Sequence, residues 1–429
     1  MVEGLSLGEL AKVVHYSKGH LSRVETGSKP ASGDLARRCD EALRARGQLL
    51  LAHQDSQKSA PPRSGLPRPV QLPPSIRGFT GRAQEFRSMD AVVSPGRIAP
   101  GTPPIVVVDG AAGVGKTAFA LEWAHRNMSD FRDGVLFRDM QAVGPDSGGI
   151  DPGEVLEEFL RALGVAPAAV PSGNREKSAM YRTLLADMNV LVVLDNVADA
   201  DRVRPLLPGS GTCAVLVTSR SRLPGLVVRD GAVRLTLGLL PPAEAVDLLR
   251  SVTDDTGSDL RRESPAAVLE LARGCGFLPL ALRIAAERWT SGQYARLDDM
   301  VAETGSGTGL LDFLDRADDG HASLRDVFSW SYRQLAEDEA RAFRVVAPRS
   351  GSGISVRAAA DLLGVQEHSA RRLLEALHRV RLLELPEPGL YRAGRLISSY
   401  AAERAAERNR SCTVSRHGAT VHMMGRQAG

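Results

Sequence analysis

At 429 residues the chain has room for two to three domains, each with its own core, which excludes a single small binding module. Apolar residues make up 43% and charged residues 24%, with 54 basic side chains against 51 acidic ones. That is the balance of a soluble globular protein, not of a nucleic-acid coat held on by charge alone. Six of the basic residues are lysine, an arginine preference that fits a GC-rich genome. Cys39, Cys213, Cys275 and Cys412 are widely spaced and show no C-x-x-C pairing, so neither a disulfide framework nor a zinc site is expected. No signal-peptide pattern and no run of 18 apolar residues occurs. A cytoplasmic chain with no membrane partner is therefore expected.

In chain order, residues 1–58 come first as a small all-α unit. Ser6-Leu-Gly-Glu9 is a capping-box pattern that opens a helix running to Val14. A turn at His15-Tyr16 follows, and Ser17 caps a second helix from Lys18 to Glu25, ended by Gly27. Leu10, Val13, Leu21 and Val24 supply its apolar face. Two short helices joined by a tight turn read as a helix-turn-helix. The run from Tyr16 to Gly27 resembles the recognition helix of phage-repressor-type (XRE) DNA-binding domains. The resemblance implies DNA as partner, with Lys18 and Arg23 toward the major groove and Ser17 and His20 near phosphates. The alternative is a helical unit that binds protein. Such domains normally begin with a full helix, whereas four residues precede Leu5; the expectation is an upstream start or an incomplete domain.

Residues 59–78 form a Pro/Arg linker, and the stretch 59–82 holds six prolines and four arginines without an acid, which predicts an extended, semi-rigid segment. A helix is expected from Arg82 to Val93. Beyond a second Pro/Gly punctuation, apolar β-branched runs at Ile105–Asp109, Val135–Phe137, Val190–Asp195 and Ala214–Thr218 alternate with helical patterns. Continuous apolar strands separated by helices predict a parallel sheet covered on both faces, an α/β domain over residues 79–238.

Gly110-Ala-Ala-Gly113-Val-Gly115-Lys116-Thr117 follows the first of these strands and precedes a helix beginning at Ala118. It is a complete G-x-x-x-x-G-K-[ST] phosphate loop in the strand-loop-helix context its mechanism needs. Glycines let backbone N–H groups turn toward phosphates, the helix N-terminus adds its dipole, Lys116 supplies a point charge and Thr117 a hydroxyl for Mg²⁺. Between Lys58 and Lys177 the one lysine is Lys116. A metal-side acid is expected at the end of a neighbouring strand, and Asp195 fits, although capping of the next turn is an alternative. Asn196, beside it, cannot act as a base, so slow hydrolysis and a switch role follow. Arg220, at the end of the run Val217-Thr-Ser-Arg220, is expected at the γ-phosphate; the alternative is a solvated loop arginine. No N-K-x-D motif is present, which favours ATP or ADP over GTP. The nine histidines are scattered and expected on helix surfaces.

From about Leu240 helical periodicity takes over, giving a helical subdomain (239–318) and a further unit (319–407). Phe79-Thr-Gly-Arg82, the phosphate loop, Val-Leu-Asp195-Asn196, Val-Thr-Ser-Arg220 and Gly276-Phe-Leu-Pro279-Leu-Ala281 together resemble the NB-ARC class of STAND P-loop ATPases over residues 76–407. The resemblance implies that Gly81 and Arg82 line the adenine side, that Pro279 approaches the nucleotide, and that residues 319–407 form a winged helix packed internally. Where that family carries Met-His-Asp, this chain has Ala393-Gly394-Arg395, which implies a weaker hold on ADP. Residues 408–429 carry four arginines and no acid and are expected to be disordered, or to reflect an altered gene end.

The expected whole is a multidomain chain: a small all-α helix-turn-helix, an α/β P-loop NTPase parallel sheet, then an all-α helical subdomain and winged helix. Its expected role is an ATP/ADP-dependent switch using Mg²⁺, most directly a DNA-binding transcription regulator with nucleotide-dependent self-association. A P-loop signalling scaffold and a degenerate regulator are the alternatives.

Overall fold

The computed structural model describes residues 5–26, 31, 33–52, 68–93, 102–141, 150–209, 211–254, 260–305, 309–315 and 323–424. The side chains of residues 20, 23, 33, 34, 409 and 411–424 lie outside that description.

Helix α1 (Leu7–Val14) starts at the capping box, where the Glu9 N–H donates to Ser6 Oγ at 3.3 Å and the Ser6 N–H to Glu9 Oε2 at 2.8 Å. His15 ends it in the left-handed conformation (φ 59°). Helix α2 (Lys18–Glu25) and helix α3 (Gly33–Ala42) complete the unit around Ala11, Val14, Leu21 and Leu35. Val13, expected on the apolar face, is 56% exposed. One residue of phase decides this: Leu10 and Val14 lie one turn apart on the inner face, and Val13 falls beside it.

The expected linker ends earlier than residue 78. Pro69 O accepts from the Val135 N–H at 2.8 Å and the Gln71 N–H donates to Val135 O at 3.2 Å, so this stretch pairs along the sheet edge. Its prolines sit where an edge needs few donors. Helix α4 (Ala83–Val93) follows.

The main sheet contains β1 (Ile105–Gly110), β2 (Gly134–Asp139), β3 (Val190–Asp195), β4 (Ala214–Ser219) and β5 (Val233–Leu237), all parallel, in the order β2-β3-β4-β1-β5. The apolar runs are continuous because both faces are covered. Val106 and Val108 of β1 pack with Phe119 and Trp123 of α5 (Lys116–Asn127). Ile105 and Val107 face the opposite cluster, which holds Phe159 of α6 (Pro152–Ala162) and Tyr181 of α7 (Asn174–Leu185). Each such buried aliphatic side chain contributes about 1.5–3 kcal/mol. Strand β5 is absent from the expected set because, at the sheet edge, it exposes Val233 and carries Arg234 and Thr236, which breaks the apolar run.

Beyond the sheet come α8 (Pro242–Thr253), α9 (Pro265–Gly274), α10 (Pro279–Thr290), α11 (Leu297–Gly305) and α12 (Leu310–Asp315). The last unit contains α13 (Leu324–Arg333), α14 (Glu337–Val346), α15 (Val356–Leu363) and α16 (Glu367–Arg379). It also holds a small antiparallel sheet ordered β6-β8-β7, from β6 (Ile354–Ser355), β7 (Glu384–Glu387) and β8 (Leu390–Arg392), the helices and wing of a winged helix. One apolar cluster runs unbroken from Val106 and Phe119 through Leu282 and Phe313 to Phe343 and Tyr400. The last element among the described residues is α17 (Arg395–Met424), which runs through 408–424, where disorder was expected. Leu396, Tyr400 and Ala401 anchor its first turns in the core, and the alanines, glutamates and arginines of residues 402–408 extend a helix that is already nucleated.

Candidate nucleotide site

Strand β1 delivers the chain to the carboxyl edge of the sheet, where the loop 110–115 turns back into α5. The turn needs glycine at Gly115, which caps α5 with φ at 91°, a conformation costly for any residue with a Cβ. Lys116 is buried, and its Nζ donates to Gly110 O at 3.1 Å and Ala111 O at 2.9 Å. Burial lowers its ammonium to about 7, the nearby Arg220 adding to the effect while Asp195 and Asp109 oppose it. The lysine therefore holds the loop by its own carbonyls in a place that suits a polyanion.

Thr117, next in the helix, donates its hydroxyl to both Asp195 carboxylate oxygens at 2.9 Å. The acid does not come from a neighbouring strand, as the sequence suggested: β4 lies between β1 and β3. That intervening strand contributes Thr218, whose hydroxyl donates to Asp195 Oδ1 and accepts from the Asn196 N–H at 3.0 Å. Burial raises the Asp195 carboxyl, while the Thr218 and Thr117 hydroxyls lower it. Asn196 stands at φ 54°. Its Nδ2 donates to Asp195 Oδ2 at 3.1 Å and to Asp139 Oδ1, at the end of β2, at 3.0 Å. A hydroxyl and a carboxylate, both hard oxygen donors, fit Mg²⁺.

The second wall comes from the helical subdomain. The Leu280 N–H donates to Gly113 O at 3.2 Å, and a Cβ on Gly113 would meet Leu278 and Leu280, so the first turn of α10, which begins at Pro279, packs on the loop. On the other flank the Arg82 guanidinium donates to Gly238 O at 2.6 Å, and its backbone N–H donates to Glu244 Oε2 at 3.1 Å. A Cβ on Gly81 would stand 2.2 Å from that same oxygen. Gly81, Arg82, Gly110, Gly113, Gly115, Lys116, Thr117, Ala118, Asp195 and Pro279 thus gather at one edge of the sheet.

Arg220 is half-buried rather than solvated, and its Nη1 donates to Val327 O of α13 at 2.9 Å, with the guanidinium 5.9 Å from the Trp330 ring. His378 departs from the expected surface position. Its Nε2 meets Arg222 Nη1 at 2.9 Å and its Nδ1 meets Leu383 O at 3.0 Å. Thr218, Asp139, Asp109, Thr236 and Arg381 belong to the site region and carry no motif of their own. The position of Thr218 inside the run ending at Arg220 was the one available signal. In the N-terminal unit Ser17 and Lys18 are exposed at the start of α2, while the side chains of His20 and Arg23 lie outside the described residues. Cys39, Cys213 and Cys275 are free thiols; the side chain of Cys412 lies outside the description. Among the described residues no group of three or more metal-ligating side chains gathers.

A five-stranded parallel sheet with a lysine-bearing loop at its carboxyl edge, backed by a threonine and an acid, is a P-loop NTPase fold. Residues 96–257 match the family model of the NB-ARC domain and residues 3–53 that of a helix-turn-helix domain.

Among curated proteins it is 37% identical over 396 residues to the regulatory protein AfsR of Streptomyces coelicolor, covering 91% of this chain and 38% of that protein. To the regulatory protein AfsR of Streptomyces griseus it is 36% identical over 409 residues, covering 95% and 40%. The chain therefore spans about two fifths of the length of these relatives. A Walker-type ATPase of Pyrococcus abyssi aligns at 14% identity with a TM-score of 0.49, over 77% of this chain and 99% of that one.

Proposed function

We propose that the chain is a nucleotide-dependent switch that binds ATP or ADP with Mg²⁺ and regulates transcription through its N-terminal helix-turn-helix. The observation that carries this is the convergence of Lys116, Thr117 and Asp195 on one edge of the sheet in a chain that also carries a helix-turn-helix domain. Lys116 and the loop N–H groups would hold the phosphates, Thr117 and Asp195 the metal, and Gly81, Arg82 and Pro279 the adenosine side. When bound, Mg²⁺ would supply positive charge that neutralises the phosphates. Asn196 holds two carboxylates and offers no base, which supports slow turnover and a switch over a motor. The names of the AfsR relatives, both regulatory proteins, support the regulatory part. DNA as partner would support a cytoplasmic location. Among the described residues no helix is long and apolar enough to cross a membrane.

Replacing Lys116 by alanine should abolish binding of a fluorescent ADP, and unchanged affinity would refute the site. Arg23→Ala should lower operator binding in a footprint while leaving salt-sensitive non-specific binding in place. Absence of any DNA shift at low salt would instead favour a protein-binding role for the N-terminal helices. Nucleotide-dependent self-association is measurable by sedimentation with ADP against a non-hydrolysable ATP analogue.

A further inference from the structure

A second charge system touches the phosphate loop from the winged-helix side. Asp109, the residue before Gly110, is fully buried at the end of β1, and a carboxylate so placed must be paired. It accepts from Thr236 Oγ1 of β5 at 2.6 Å and from Arg381 Nη2, and Arg381 Nη2 also donates to Thr236 Oγ1 at 3.3 Å. Arg234 stands 4.0 Å away.

Arg381 lies in the turn between α16 and β7 and adopts φ 61°, a left-handed conformation that a long side chain keeps only where its surroundings impose it. Its N–H donates to His378 O at 3.1 Å, and His378 is itself held by Arg222 and Leu383. The whole turn is thus built to present one guanidinium to one carboxylate. Gly110, immediately after that carboxylate, gives its carbonyl to Lys116 Nζ at 3.1 Å.

We propose that Arg381 is a positioning residue for the phosphate loop, and that its ion pair with Asp109 ties the winged-helix unit to nucleotide occupancy. With Arg381 in place, the negative charge of Asp109 is neutralised one residue from the loop that receives phosphates. With Arg381 withdrawn, Asp109 keeps the Thr236 hydroxyl and the more distant Arg234, and its less neutralised charge faces the incoming anion and disfavours it. By reciprocity, bound phosphate holds the winged helix down as firmly as the docked winged helix retains phosphate.

The inference rests on the nucleotide reading for its affinity arm, and a second arm is independent of it. In the full chain, R381Q should weaken binding of fluorescent ADP about tenfold, a usual size for coupling between two sites. It should also speed proteolytic cleavage within residues 333–395. Adding D109N to R381Q removes the under-neutralised charge, so affinity should return while cleavage stays fast. A purely structural role would instead let the second substitution worsen both. If R381Q leaves ADP affinity and cleavage at wild-type levels, or if D109N fails to rescue affinity, the proposal is overturned. If R381Q does not fold, D109N/R381Q, which buries no lone charge, still decides: slow wild-type cleavage refutes the latch. Should the wild-type chain bind no ADP at all, the nucleotide reading fails, and the cleavage arm alone judges the ion pair.

Discussion

Thr117 and Asp195 stand 78 residues apart in the chain and meet because a strand-loop-helix turn and a strand end share one edge of the sheet. The threonine hydroxyl and the carboxylate form a small set of hard oxygen donors that would hold a divalent cation. Mg²⁺ should therefore tighten ADP binding in the wild-type chain. Asp195→Asn should remove that increment while preserving the affinity measured in EDTA; calorimetric titrations with and without the metal test this, and an undiminished Mg²⁺ effect would count against Asp195. At Gly81 the backbone lies at φ 79° with Glu244 Oε2 where a Cβ would go. Gly81→Ala should cost about 1–3 kcal/mol of stability in urea unfolding and should also disturb the Glu244 contact with the Arg82 N–H. These residues were legible in the sequence because their chemistry is local: a motif of eight positions or a carboxylate closing an apolar run. Arg381 and Asp109 are separated by 272 positions, and no periodicity or spacing rule connects a turn arginine to a buried strand acid.

At the scale of elements, strands with both faces covered announced themselves as apolar runs, and β5 did not. This edge strand exposes Val233 and Thr236 and only half-buries Arg234 and Leu235, so it reads as loop until the sheet order is known. In α17 the first turns are fixed by burial of Leu396 and Tyr400 and the next, residues 402–408, by the helix propensity of alanine, glutamate and arginine. His378 shows how an element-level contact acquires pH dependence. Its Nδ1 faces the Leu383 carbonyl, so Nδ1 carries the proton and Nε2 accepts from Arg222. Burial, with Arg381 and Arg222 nearby, lowers its imidazolium below the ordinary range, while the Leu383 carbonyl and Asp109 oppose this. The folded chain therefore refuses a proton that the unfolded chain accepts, and stability falls as pH drops through the ordinary histidine range. His378→Gln should flatten the loss of melting temperature between pH 7.5 and pH 5.5; an unchanged slope would remove His378 as the cause.

For the whole molecule, the unbroken apolar cluster from β1 to Tyr400 makes the α/β, helical and winged-helix units one cooperative body. Phe343, fully buried in α14, should on truncation to alanine cost about 3–5 kcal/mol. Its calorimetric trace should move as a single transition, not shed an early shoulder. Charge is distributed differently from packing. Residues 1–58 carry a net +2, residues 59–82 carry +4 and residues 83–407 carry −7, so the proposed DNA reader and its tether are basic beside an acidic switch. The pairing of residues 69–71 with β2 gives that tether a fixed point. Sixteen peptide bonds join Ala52 to Arg68, so covalent length alone caps their separation at about 55 Å. One turn of duplex measures about 34 Å. By that bound, an operator held by the proposed reader would lie within little more than a turn and a half of DNA from the sheet edge, and operator position becomes a ruler for the location of the nucleotide-binding unit.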